Sequence, residues 1–136
     1  MDDLFSNIIA GTVPSARIYE DTLAVAFLDS NPNNKGHILV VPRQKFQNIF
    51  DGDAEIVAHM MKVAKIIAVA QKEALNCDGV NIVMNNGVAA GQEIFHAHLH
   101  VIPRYTNDGV FGSHTHMQYE PDEIHSIAEK IKNAIR

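Results

Sequence analysis

Three histidines at alternate positions, His96, His98 and His100, are the residues whose type and spacing could do chemistry in this chain. Imidazole is the side chain whose unperturbed pKa, about 6.5, lies closest to neutrality. A neutral ring offers a lone pair for attack or for metal binding, and a charged ring donates protons. A row of three rings could therefore bind a metal ion, relay protons, or combine a nucleophile with its acid and electrostatic helpers.

The element that must position these histidines is a β-strand. The apolar residues Ala97 and Leu99 alternate with them, and residues two apart on a strand share a face, about 7 Å from one another. The alternation predicts one row of imidazoles with Ala97 and Leu99 facing the core. Two other interpretations stay open, a solvated polar face and a zinc site with three histidine ligands. Zinc is disfavoured because three side chains along one straight strand rarely converge on one ion.

The stretch 96–102 resembles the signature of the histidine-triad (HIT) family, His-φ-His-φ-His-φ-φ with φ apolar, and meets every position of it. The resemblance extends over most of the chain. It implies a single HIT domain over residues 1–136, with an α+β fold, a five-stranded antiparallel sheet and two main helices. It also implies a homodimer in which two sheets join into one of ten strands. The periodicity of the chain favours an antiparallel α+β domain without showing a dimer.

The resemblance implies a hydrolase that acts at the α-phosphate of a purine nucleotide, and the hypothesis that follows makes His98 the nucleophile. A nucleotidyl-histidine intermediate would then be hydrolysed to release a nucleoside monophosphate such as AMP. His100, with His37 at the entrance of the apolar run 38–42, would donate hydrogen bonds to phosphate oxygens. His96 would protonate the leaving group. Neither a metal ion nor another cofactor is expected.

The sequence leaves open both the substrate class and whether the protein is an enzyme. A nucleoside phosphoramidate and a dinucleoside polyphosphate both fit the triad. The alternative function is that of a nucleotide-binding regulatory or scaffold protein whose hydrolysis is vestigial.

Residues outside the triad have a structural and a functional interpretation each. Asp29, before Ser-Asn-Pro, is typical of a turn, while the resemblance implies that it holds the ribose hydroxyls. The glycine-bearing loop 85–92 is either a hairpin connection or a phosphate-binding loop. Apolar residues of the first helix are either core or the border of the nucleobase. The substrate-binding residues that the resemblance implies are Asp29, Asn85, Gly91, Gln92, Phe5, Ile8 and Phe27.

Two departures from the family pattern bear on function. Glu93 stands where many relatives have Ser or Thr, and a carboxylate there would repel a phosphate, which puts the leaving-group preference in doubt. Asp3 and Ser6 stand where some relatives carry a zinc-binding Cys-x-x-Cys. The chain is therefore expected to lack that structural zinc.

The remaining pattern predicts the elements that carry these residues. Apolar residues three and four apart predict helices over 2–10 and 54–75 and a last helix that begins at 121. His114 and His116, in a stretch without strand character, are predicted to be solvated. The predicted strands are 17–20, 23–28, 36–42, 80–84 and the histidine strand, which ends at Arg104.

Composition excludes several classes of protein. The 136 residues are 46% hydrophobic and 20% charged, with a formal net charge of −5, which argues against a protein that binds nucleic acid through a basic face. Cys77 is the only cysteine, so no intrachain disulfide can form. The absence of a signal-peptide pattern and of a long apolar run predicts a cytoplasmic protein that does not bind membranes.

Overall fold

The computed structural model describes residues 3–110 and 116–135. Within these residues the chain forms three α-helices and one five-stranded antiparallel sheet with the strand order β1-β2-β3-β5-β4. The predicted α+β class is confirmed. The strands are Arg17–Glu20 (β1), Ala24–Leu28 (β2), Ile38–Pro42 (β3), Gly79–Val83 (β4) and Leu99–Arg104 (β5), and the helices are Leu4–Ala10 (α1), Ala54–Leu75 (α2) and Glu123–Ala134 (α3).

The sheet is buried on both faces at its centre. All residues of β2 and β3 are buried, because alternate side chains of each strand meet different helices. On one face Ala26, Ile38 and Val40 belong to the main core together with α2 and α3. On the other face Phe27 and Leu39 pack with the apolar side of the short helix α1. The histidine-bearing strand β5 lies between β3 and β4, and its Leu99 and Val101 belong to the main core.

Helix α2 follows its predicted pattern and ties the core to the sheet. Asp53 caps its first turn by accepting hydrogen bonds from the backbone of Glu55 and Ile56. The side chain of Gln71 is fully buried. Its amide nitrogen donates to the carbonyl oxygens of Gly36 and Val101, both at 2.9 Å. Helix α2 is thereby bound to the segment just before β3 and to the middle of β5. No described helix is long and apolar enough to cross a membrane.

The histidine strand begins later than its sequence pattern predicts. Regular pairing of β5 starts at Leu99, whereas the alternation starts at His96. The reason is a contact distant in sequence, because the backbone N–H of Ala97 donates to the carbonyl of Phe46 at 2.8 Å. The chain from His96 to His98 is therefore held by the loop after β3 rather than by a neighbouring strand.

Candidate active site

One cavity of about 740 Å³ lies between α1, the edges of β2, β3 and β5, and the loop that precedes the histidines. Its volume is in the range of small-molecule sites. Nine of the eleven residues that the sequence predicts for the site line this cavity, and His96 and Gln92 do not. The nine are Phe5, Ile8, Phe27, Asp29, His37, Asn85, Gly91, His98 and His100.

His98 is arranged as a neutral ring with one free lone pair. Its Nδ1 lies 2.7 Å from the carbonyl oxygen of His96. A carbonyl oxygen only accepts, so Nδ1 carries the hydrogen and Nε2 keeps its lone pair. Burial lowers the pKa of His98, an effect that the hydrogen bond to His96 opposes and the charge of His96 reinforces. Nε2 has no hydrogen-bond partner among the described residues, and it is the nitrogen available for attack.

His37 and His100 form a chain whose direction is set by a backbone amide. The N–H of Asn33 donates to Nδ1 of His37 at 3.1 Å, so the hydrogen of a neutral His37 sits on Nε2. That nitrogen lies 2.9 Å from Nδ1 of His100 and donates to it. The hydrogen of a neutral His100 is consequently on its Nε2. These tautomers follow from the hydrogen-bond partners.

Burial keeps both rings of this chain uncharged. Burial first, and the neighbouring His100 second, lower the pKa of His37 to about 3. Burial and then His98 lower the pKa of His100 to about 4. The rings of His98 and His100 meet edge to face with centroids 4.9 Å apart. One cavity wall thus presents a nucleophilic lone pair next to a hydrogen-bond donor, which suits attack on an electrophilic atom bonded to anionic oxygens, such as the phosphorus of a phosphate.

His96 lies behind this wall and not on it. Its ring is fully buried, and Nε2 lies 2.9 Å from the carbonyl oxygen of Pro42 at the end of β3. Nδ1 faces Asp3 and Ser6, at the start of α1, at 3.3 Å and 3.4 Å. The expected row of three rings therefore becomes two rings in the cavity and one ring that supports them from within.

Gln92 is also a supporting residue. Its side chain makes four hydrogen bonds inside the protein, which saturates its amide. The amide nitrogen donates to the carbonyls of Gln47 and Ile94, and the amide oxygen accepts from Asn48 and from the backbone of Gly87. Gln92 therefore shapes the loop at the cavity rim and has no donor left for a ligand.

The loop that Gln92 holds brings two predicted residues to the rim. Gly91 has φ of +91°, and a Cβ there would lie 4.0 Å from the side chain of Asn85. That backbone conformation favours glycine over other residues. Glu93 lines the same cavity and is exposed, so a carboxylate stands at the rim.

The opposite half of the cavity is apolar, with one acid at its edge. Phe5 is buried and packs edge-on against Phe27, at 5.7 Å between ring centroids, and against His98, at 4.9 Å. Asp29 accepts a hydrogen bond from the backbone of Asn31 at 2.8 Å through Oδ1. Burial raises the pKa of Asp29.

Two contributors to the site were not predicted from sequence. The backbone N–H of Asn33 lies in a turn, and no residue type marks an amide that sets a tautomer. His116 is exposed as predicted, yet it lines the cavity, because the backbone of Met117 donates to the carbonyl of Pro32 at 3.1 Å. His114 lies outside the described residues.

One group of side chains has spacing that could suit a metal ion. The nearest ligand atoms of Asp29, His37 and His100 lie within 4.8 Å of one another. The hydrogen bond from Asn33 places the hydrogen of His37 on Nε2, the nitrogen that would have to bind the ion. A protonated nitrogen has no lone pair for a metal. The group fits a hydrogen-bond chain better than a metal site, and the expected absence of a metal stays a prediction.

Comparisons with known proteins agree on one family. The sequence profile of the HIT domain matches residues 10–107. Protein hit of Bacillus subtilis is 38% identical over 131 residues, 94% of this chain and 90% of that protein. Adenylylsulfatase HINT3 of Arabidopsis thaliana is 38% identical over 112 residues, 82% of this chain and 57% of that protein. The crystal structure of a hypothetical histidine triad nucleotide-binding protein from Sulfolobus tokodaii matches with a TM-score of 0.86 and 32% identity, over 96% of this chain and 89% of that one.

The lowered pKa values of the hydrogen-bonded pair His37 and His100 predict how the stability of the protein depends on pH. Histidine in the unfolded chain titrates near 6.5, whereas the pKa of His37 is about 3 and that of His100 about 4. Between about pH 4 and 6.5 the unfolded chain therefore binds more protons. The free energy of unfolding should fall as the pH is lowered through this window, by up to about 1.4 kcal/mol per pH unit for each proton. Urea denaturation at stepped pH measures this slope.

The variant His37→Asn should flatten that slope. His125→Asn, which removes an exposed histidine, is the matched control and should leave the slope unchanged. Equal slopes in wild type and His37→Asn would contradict the neutral state of the buried ring.

Proposed function

This chain belongs to the HIT domain family, and we propose that it is a nucleotide hydrolase that acts at the α-phosphate and releases a nucleoside monophosphate such as AMP. The observation that carries the proposal is the pairing of a free lone pair on His98 with an N–H on His100 in one cavity. The names of two relatives, an adenylylsulfatase and a nucleotide-binding protein, support a nucleotide as the substrate.

The reaction starts with attack by the Nε2 lone pair of His98 on the α-phosphorus. A P–N bond forms, and the bond from phosphorus to the leaving group breaks with its electron pair. The His98 ring becomes positively charged, and its Nδ1–H donates more strongly to the carbonyl of His96. The Nε2–H of His100 donates to a phosphate oxygen as negative charge shifts onto it.

Water completes the cycle. Its oxygen attacks the nucleotidyl-histidine, the P–N bond breaks, and the electron pair returns to His98 while one proton passes to solvent. The leaving group takes its proton from water. His96, which the sequence suggested for that role, is fully buried behind the wall, and this position favours a supporting role instead.

The rest of the cavity suits the nucleoside part of a substrate. The apolar half formed by Phe5, Ile8 and Phe27 would receive the base. Asp29 has one carboxylate oxygen bound to the Asn31 amide, and its other oxygen would accept hydrogen bonds from a ribose hydroxyl. Asn85 and the backbone near Gly91 would contact the phosphate at the rim.

The substrate class within this proposal depends on charge at the rim. Glu93 stands there as an exposed carboxylate, and like charges repel. A nucleoside phosphoramidate, whose leaving amine carries no negative charge, fits the cavity better than a dinucleoside polyphosphate. We therefore place the phosphoramidate first and the polyphosphate second.

We also propose a homodimer that pairs two copies of the edge strand β4. The other edge, β1, contains a bulge and the charged residues Arg17 and Glu20, features that block edge pairing. β4 is regular over five residues, has no charged side chain, and exposes Ile82. Pairing there would extend the sheet to ten strands.

Replacement of His98 tests the nucleophile. His98→Ala should lower kcat for adenosine phosphoramidate by more than about 10³-fold, because the covalent route is lost, while AMP binding measured by calorimetry persists. Rapid quench and mass spectrometry of the wild type should show one nucleotidyl group on His98. His59→Ala on α2 is the control histidine and should retain full activity. Tight AMP binding with negligible wild-type turnover would instead support the regulatory alternative.

Replacement of Glu93 tests the leaving-group preference. Glu93→Gln should raise kcat/KM for diadenosine polyphosphates several-fold, since an exposed charge interaction is worth about 0.2–1 kcal/mol. The value for the phosphoramidate should change little. The gain should shrink at high salt. An equal change for both substrates would place Glu93 away from the leaving group.

Replacement of Ile82 tests the dimer. Sedimentation should give a dimer for the wild type and a monomer for Ile82→Asp, because a charge would be buried between the two edges. Leu23→Asp introduces the same charge at an exposed residue in the turn between β1 and β2, at the opposite edge of the sheet from β4. This control variant should remain a dimer. A monomeric wild type at micromolar concentration would refute the proposed assembly.

A further inference from the structure

One carboxylate, one ammonium group and one imidazole form a cluster behind the nucleophile, and the reaction described above does not use their side chains. Asp3, Lys45 and His96 meet there, with His96 fully buried. Both nitrogens of the His96 ring face acceptors. Nε2 lies 2.9 Å from the carbonyl oxygen of Pro42, and Nδ1 lies 3.3 Å from Oδ1 of Asp3.

The two acceptors decide where the hydrogens of His96 sit. The carbonyl of Pro42 only accepts, so Nε2 carries a hydrogen. Burial alone would raise the pKa of Asp3, but hydrogen bonds from the Ser6 backbone and from Lys45 lower it to about 2. Asp3 is therefore an ionised carboxylate that only accepts, and it hydrogen-bonds to Nδ1 only if that nitrogen carries a hydrogen. Ser6 Oγ, at 3.4 Å, offers the competing arrangement in which its hydroxyl donates to a neutral ring.

We propose that His96 is a buried imidazolium held in that state by Asp3, and that Asp3 is thereby a positioning residue for the nucleophile. The carbonyl of His96 is the group that accepts from Nδ1 of His98 at 2.7 Å. The ring of His96 anchors that carbonyl between β3 and α1 through its two N–H groups. The kinetic part of this inference rests on the proposed function, and the charge state does not.

The charge of His96 also acts on the nucleophile directly. Among the described residues, the charged or titratable groups that interact with His96 are Asp3 and His98, and Lys45 is paired with Asp3. A positive ring next to His98 disfavours a second proton on that ring, which keeps its lone pair free at lower pH. Asp3 lies directly against the ring, so a charged His96 is not a buried cation without a counterion.

Asp3 further connects this cluster to the apolar half of the cavity. Its Oδ1 caps α1 by accepting from the backbone of Ser6 at 2.7 Å, and its Oδ2 lies 3.1 Å from Nζ of Lys45. Helix α1 carries Phe5, which packs edge-on against His96 and His98, with ring centroids at 6.0 Å and 4.9 Å. One carboxylate thus holds the base-facing helix and the support of the nucleophile together.

The variant Asp3→Asn separates the two tasks of Asp3. Asn is as good an N-cap as Asp, so α1 should stay capped while the charge beside His96 is lost. In ¹⁵N-detected NMR at pH 7, wild-type His96 should show hydrogens on both ring nitrogens, and Asp3→Asn should show one. Asp53→Asn, the same change at the cap of α2, should leave the His96 signals unchanged. A single ring hydrogen in the wild type, or two in Asp3→Asn, would overturn the proposal.

The kinetic consequence is a change in pH dependence. In Asp3→Asn the acid limb of kcat/KM should move to higher pH, because a neutral His96 no longer opposes protonation of His98. A shift of one pH unit lowers kcat/KM on that limb by about tenfold, and Asp3→Glu should restore part of it. An unchanged profile in a folded Asp3→Asn would refute the positioning role. If nucleotides are not turned over at all, the proposed function fails, while the NMR result still decides the charge state.

Discussion

In each imidazole of the cavity wall, the protein group that one nitrogen contacts decides what the other nitrogen is able to do. A carbonyl at Nδ1 of His98 leaves a lone pair on Nε2. An amide N–H at Nδ1 of His37 instead leaves the hydrogen on Nε2, which donates a hydrogen bond to His100. Chemically identical side chains thereby become a nucleophile and a hydrogen-bond donor. The assignment needs no charge on these rings, and burial keeps the two rings of the donor chain neutral.

The fold supplies those partners from segments that are far apart in sequence. β3 and β5 are neighbours, with Leu39 paired to His100, so His37 at the start of β3 reaches the second ring of the cavity. The end of the same strand offers the carbonyl of Pro42 to His96. The sheet therefore positions His37 and His100, while α1 closes the cavity from the opposite side through Phe5.

Local pattern was sufficient to predict the elements, because helical and strand periodicity record which side chains face a core. The helix over 54–75 and the strand over 17–20 are examples, since both have the predicted bounds. Most residues of the cavity wall were predicted only through the resemblance to the HIT family. Pattern failed where a distant backbone group decides the outcome. The strand starts at Leu99 because Ala97 is bound to the loop after β3, and His96 turns inward to meet Asp3 and Pro42. No residue type in the sequence indicates such contacts, because they form only when the chain has folded.

The saturated amide of Gln92 has a consequence for how a ligand is received. Four hydrogen bonds immobilise the rim loop while the chain folds, so the conformational entropy of that segment is lost before any ligand arrives. Association then has little further ordering cost at the rim. Ligand binding should therefore proceed with little rearrangement of the rim loop.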